Sequence, residues 1–176
     1  MMKKNMQLCI GFIVAVLLII LDQLTKYLAV TYLKGAESIK ILPGIFELSY
    51  LENHGAAFGI FQGQKTLFVI LTSLLLIFLV YLYIQILEEK RYKYIRMIIV
   101  VLVAGAVGNF IDRCIHDYVI DFFYFSLIDF PIFNVADIYI VVSVFVLMGF
   151  ICFYYKEEDL DYLVSKFPFI KKKEQK

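Results

Sequence analysis

Gly105-Ala106-Val107-Gly108-Asn109-Phe110-Ile111-Asp112-Arg113 closes one long apolar run and decides how the rest of the chain is read. It is followed by Tyr118-Val119-Ile120-Asp121-Phe122-Phe123 and, at the head of the next apolar run, by Phe133-Asn134-Val135-Ala136-Asp137. A charged side chain at the middle of a bilayer costs roughly 2.5–3.5 kcal/mol on insertion scales, and less near the surface. Acids placed here therefore need a reason.

The 176 residues are 62% hydrophobic, with a mean hydropathy of +0.81, no Trp and three Pro. No ordinary soluble domain has that balance, so the chain is read as an integral membrane protein. The net charge of +1 gives no footprint for nucleic acid. Cys9, Cys114 and Cys152 lack metal or redox spacing and read as packing residues. Lys3 and Lys4 precede an apolar run that continues to about Leu33 without a small-residue cleavage site, which favours a retained signal anchor.

Four stretches are long enough to span: Leu8–Tyr27, Thr66–Leu87, Ile95–Cys114 and Phe133–Tyr155. Lys and Arg collect at the N-terminus, between the second and third spans, and in the tail, so both termini are expected in the cytoplasm. Pro43-Gly44 marks a turn, and Phe46, Leu48 and Tyr50 then alternate with Glu47, Ser49 and Leu51, the period of a short strand. Gly55-Ala56-Ala57-Phe58-Gly59 permits close backbone approach to another element or a ligand. The aromatic loop His116–Ile132 suits a segment lying among lipid headgroups. The predicted fold is an all-α membrane protein of four transmembrane helices with a small extracytoplasmic β-sheet and a short interfacial loop or helix. A single membrane domain is expected over 1–176, with outer loops at 31–65 and 115–132 and a charged tail at 156–176.

The acids of the spans and of the second outer loop are all aspartates, and Asp22, Asp112 and Asp137 converge on one depth, the outer membrane surface. Asp22 and Lys26 stand four apart on one helix, a spacing whose plain reading is a structural ion pair. Asp112 has Arg113 beside it, which favours an ionised, loop-holding carboxylate. Asp117 and Asp129 read as turn residues. Asp121 and Asp137 differ: each is flanked by apolar residues with no adjacent cation. Two such carboxyls in one site do not easily both ionise, and a shared proton supplies a general acid and a general base together. The alternative is two buried acids satisfied by Asn109, Asn134 or backbone donors. With His54 and His116 the only histidines, a His-x-x-x-His metal site is unsupported, as is a phosphate-binding loop.

Asp22-Gln23-Leu24-Thr25-Lys26, Asn53-His54-Gly55-Ala56-Ala57-Phe58, Gly108–Arg113, Val119–Phe122 and Phe133–Asp137 together resemble the lipoprotein signal peptidases, the signal peptidase II family. The resemblance implies a membrane aspartic endopeptidase that cuts prolipoproteins before the diacylglyceryl-modified cysteine, with Asp121 and Asp137 as the catalytic pair. It implies a substrate pocket around Asn53, Gly55, Asn109, Arg113 and Asn134, and structural support from Asp22, Lys26 and Asp112. No metal or organic cofactor is expected. The expected partners are the prolipoprotein, membrane lipid and cyclic-peptide inhibitors, in a bacterial cell membrane with the site at its outer face. The chain departs from the family's frequent Gly-Gly at Ala104-Gly105 and from its turn Gly at Asp117, which leaves that turn's geometry open. The rival readings are a small transporter or proton relay using buried aspartates, and a structural anchor.

Overall fold

The computed structural model describes residues 2–55 and 63–166. Among them, four helices are long and apolar enough to cross a bilayer: α1 (Met2–Leu33), α2 (Lys65–Gln85), α3 (Lys93–His116) and α4 (Val135–Phe153), with a short α5 (Glu157–Ser165) behind them. Strands β1 (Ile39–Leu42), β2 (Phe46–Asn53) and β3 (Val119–Tyr124) form an antiparallel sheet in the order β1-β2-β3. This is the four-span helical membrane architecture with a small sheet that the sequence predicts. Of the small-residue segment Gly55–Gly59 only Gly55 is described, and the tail beyond Lys166 also lies outside the described residues.

The helices are apolar on nearly every face, and Phe12, Leu17, Ile77 and Phe145 point outward into what would be lipid. Cys9, Cys114 and Cys152 join them there, exposed and unpaired, so they are not the packing residues that composition suggested. Lipid removes the hydrophobic drive between helices, and close packing falls to small residues. α3 accordingly takes the centre, against α1, α2 and α4. A Cβ on Gly105 would stand 2.6 Å from the Ala136 carbonyl oxygen, and one on Gly108 would stand 2.4 Å from Asp22 Oδ2. Gly108→Ala is expected to destabilise by roughly 1–3 kcal/mol through overpacking, because the Asp22 carboxylate it displaces is fully buried and bonded on both oxygens. Thermal unfolding in detergent measures this, and an unchanged midpoint would contradict the packing account.

α1 runs past the bilayer run so that Ala29 and Leu33 pack under Ile120 and Phe122 of β3, which seats the sheet on the helix bundle. β2 falls where the alternation places it, after a turn in which Gly44 adopts φ +73°. The surprise is β3, which occupies about a third of the expected interfacial loop. Val119, Ile120, Asp121 and Phe122 are all buried, so the strand shows no period-two signal. It pairs with β2 on one side, with Leu51 opposite Asp121. On the other side the backbone N–H groups of Phe122 and Phe123 donate to the Phe133 carbonyl. Beyond β3 the loop makes a single 3-10 turn, Ser126–Ile128, with Leu127 and Ile128 exposed. Asp117 caps α3 in the left-handed region at φ 69°, a position glycine occupies at least cost, which settles the turn left open above. Its carboxylate pairs with Lys65 at the start of α2.

Candidate active site

Polar groups from three helices and two strands meet where α3 approaches the sheet. Their base is Lys26. Its ammonium lies 3.0 Å from Asp22 Oδ2 and 2.9 Å from Asp112 Oδ2, with all three side chains at most 2% exposed. The third contact is Asn109 Oδ1 at 2.9 Å. An ammonium has three donors, and all three are used. Asp22 Oδ1 accepts from the backbone N of Ala136 in the first turn of α4, where the helix dipole favours an anion. Asp112 Oδ2 accepts from the backbone N of Ile120, tying α3 to β3. Gln23 Nε2 donates to both carboxylates and to the Gly108 carbonyl.

Arg113 does not share this cluster, contrary to the expectation that it pins Asp112. Successive residues on a helix point about 100° apart. The guanidinium therefore turns to the Phe68 ring, 4.7 Å from its centroid, and donates to the carbonyls of Gly55 (3.2 Å) and Asn109 (3.5 Å).

The lysine sets the orientation of what lies above it. Asn109 Oδ1 accepts from Lys26 and from Asn134 Nδ2 (3.1 Å), so Asn109 Nδ2 faces Asp137 Oδ1 at 2.7 Å. Asn134 is the N-cap of α4. Its Oδ1 accepts from the Asp137 backbone N, and Asp137 Oδ2 accepts in return from the Asn134 backbone N, a reciprocal capping box. That leaves Asn134 Nδ2 to donate to Asp121 Oδ1 at 2.6 Å, while Asn53 Nδ2 donates to Asp121 Oδ2 at 2.8 Å. Neither asparagine between the two acids can flip without breaking a bond to a charged or backbone group. Asp121 is 1% exposed, and its burial, with the Asp137 charge next in importance, pushes its carboxyl up to about 7.

Both acids face a cavity of about 400 Å³. Asn53, Gly55, Asn109 and Arg113 line its polar end, and Phe130–Phe133 with Ile138, Val141 and Val142 line the rest. Val141 and Val142 are half exposed, so the apolar wall runs along α4 to the lipid-facing surface. Asn134, Asp22, Lys26 and Asp112 sit behind the cavity, fully buried. The capping box was visible in principle as Asn134-x-x-Asp137, and Gln23 as the residue between two others of the cluster. The sequence reading assigned neither role.

The family model described as Signal peptidase (SPase) II matches residues 14–153, four-fifths of the chain. The chain belongs to the signal peptidase II family. It is 41% identical over 137 residues to the lipoprotein signal peptidase of Brevibacillus brevis, covering 78% of this chain and 91% of the relative. It is 40% identical over 144 residues to that of Streptococcus pyogenes serotype M1, covering 82% and 91%. Among solved structures, a bacterial membrane enzyme determined by the in meso method at 2.3 Å superposes with a TM-score of 0.70 at 35% identity, covering 84% of this chain and 92% of that one. This signal peptidase II family member is a peptidase and a multi-pass membrane protein, as the resemblance implied.

Proposed function

We propose that this chain is an aspartic endopeptidase that removes signal peptides from prolipoproteins, cutting before the diacylglyceryl-modified cysteine with Asp121 and Asp137 as its catalytic pair. The observation that carries the reading is two carboxyls from different elements, held by one pair of oriented asparagines, at the head of a cavity whose apolar wall opens along α4. The lipid tails of the substrate stay in the bilayer along Val141 and Val142, and the scissile bond reaches the two acids. Asn53, Gly55 and Arg113 meet the substrate backbone, and Asn109 and Asn134 hold the acids in place. Near neutral pH one proton is shared. One of the two acids, ionised, takes a proton from the attacking water, while the other, protonated, hydrogen-bonds the scissile carbonyl oxygen as it gains charge. Collapse of the tetrahedral intermediate breaks the C–N bond, and a proton passes to the departing cysteine amine. No metal or cofactor enters this scheme. Both termini lie in the cytoplasm, the site is at the outer face, and cyclic-peptide inhibitors occupy the same cavity. The family match leaves the transporter and anchor readings unfavoured.

The test is cleavage of a lipidated prolipoprotein by the purified full chain, with the product's new N-terminus read by mass spectrometry. Cleavage before the lipidated cysteine is expected, with slow or no turnover of the unlipidated precursor. Equal cleavage of both forms would sink the lipid-positioning argument. The pH profile supplies a second check. Burial raises the Asp121 carboxyl to about 7, so the proton shared by the pair is lost on the alkaline side of neutrality. Since one of the two carboxyls must be protonated for the chemistry, kcat/KM should fall about tenfold per pH unit on the alkaline side. A kcat/KM flat to about pH 9 would remove the shared proton from the mechanism.

A further inference from the structure

A second cavity, of about 380 Å³, opens between α1, α2 and α3 at the opposite end of the bundle. Lys93 stands 16 residues before Asn109 on the same helix, about 24 Å along its axis. The walls are apolar, from Ile10 and Val14 of α1 to Met97 and Val100 of α3, and Ile10 and Met97 leave it open to the lipid side. The mouth is polar, formed by Gln7, Lys93 and Arg96.

Three features of this mouth lack a counter-charge or donor within the described residues. Lys93 and Arg96 are three apart in the first turn of α3, which holds no acid, so two cations sit at the helix end that already carries partial positive charge. Neither forms an ion pair with a carboxylate among the described residues. Lys93 rests over the Tyr94 ring, and Arg96 uses Nη1 to donate to the Ile86 and Glu89 carbonyls. The Glu89 carboxylate is engaged elsewhere, by Tyr162 and Lys166. Finally, Gln7 Oε1 is buried with no hydrogen-bond partner. An orphaned acceptor of that kind is costly unless something donates to it.

We propose that this cavity binds one anionic glycerophospholipid with a hydroxyl-bearing headgroup, drawn from the leaflet at this end of the bundle. The phosphate neutralises Lys93, Arg96 and the N-terminus of α3. A headgroup hydroxyl donates to Gln7 Oε1, and one acyl chain lies along Val14 and Val100. Such a lipid supplies the anion, the donor and the apolar length together, and a basic pocket between spans at headgroup level is a general lipid-recognition device.

The experiment uses the full chain in nanodiscs of phosphatidylglycerol and phosphatidylcholine, with retained lipid counted by native mass spectrometry after transfer to detergent. Wild type is expected to keep one phosphatidylglycerol in preference to phosphatidylcholine. Lys93→Gln should weaken that preference about fivefold. Val100→Phe, which fills the groove and keeps both charges, should abolish retention. Gln7→Leu should erase the preference for phosphatidylglycerol over phosphatidic acid, which lacks the hydroxyls. Lys40→Gln, on the sheet, serves as the control and should change nothing. Far-ultraviolet circular dichroism and unfolding midpoints establish that the variants are folded. The proposal is overturned if folded Lys93→Gln and Val100→Phe retain the lipid as wild type does, or if Lys40→Gln loses it equally.

Discussion

Asp121→Asn and Asp137→Asn are each expected to lower the rate of prolipoprotein cleavage by roughly three to five orders of magnitude, with little change in KM. General acid–base work by one positioned group is worth about 10²–10⁴, and residues that act as a unit fall together, so the double variant should be scarcely slower than either single one. The variants must be compared at equal folded protein, and the buried carboxyl gives a direct way to check this. The Asp121 carboxyl is ordinary in the unfolded chain, near 3.9, and raised to about 7 in the folded one. The folded state therefore binds more proton at this site between these values, and the contribution of this carboxyl to stability is lost as pH rises from about 4 to 7. An amide at this position does not titrate, so Asp121→Asn should gain stability relative to wild type across that window and hold the gain above it. An inactive variant whose relative midpoint climbs with pH is folded and lacks only the chemistry. A variant that still cuts at near the wild-type rate would return Asp112 and Asp22 to consideration.

Lys26→Met is expected to have the largest effect on stability, a loss of roughly 3–5 kcal/mol, because it leaves two buried carboxylates without their cation. Asp112→Asn should cost much less, since the remaining Lys26–Asp22 pair is neutral and an amide oxygen still accepts from Ile120. That order, measured by thermal unfolding in detergent, is the discriminating result. If Lys26→Met is no worse than Asp112→Asn, the shared-ammonium account fails. Any Lys26→Met that does fold should also be slow, because Asn109 is then free to rotate and withdraw its Nδ2 from Asp137.

The four spans, the strand at Phe46 and the distinctive surroundings of Asp121 and Asp137 were legible because each rests on local pattern: apolar length, period two, or an acid without a neighbouring cation. β3 was not, since a strand buried on both faces has no alternation to read. Arg113 misled for a related reason, sequence adjacency being a poor guide to contact on a helix. The role of Lys26 was only half visible. Its partner four residues earlier follows from helical spacing, but its bond to Asn109, 83 residues away, exists only in three dimensions. The same holds for the two asparagines, whose amide orientation depends on partners from three separate elements, Lys26 of α1, Asp121 of β3 and Asp137 of α4.

The cluster around Lys26 has a consequence for how the protein comes into being. Asp22 leaves the ribosome early on α1, Asn109 and Asp112 follow on α3, and Asn134 and Asp137 arrive only with α4. Until that last helix has entered the bilayer, Asp22 lacks the Ala136 amide, Asn109 lacks Asn134 as a donor, and the second acid is missing altogether. A partly inserted chain thus holds Lys26 with Asp22 and Asp112 but not Asp137, so on the proposed catalytic pair proteolytic power appears only at the end of biogenesis.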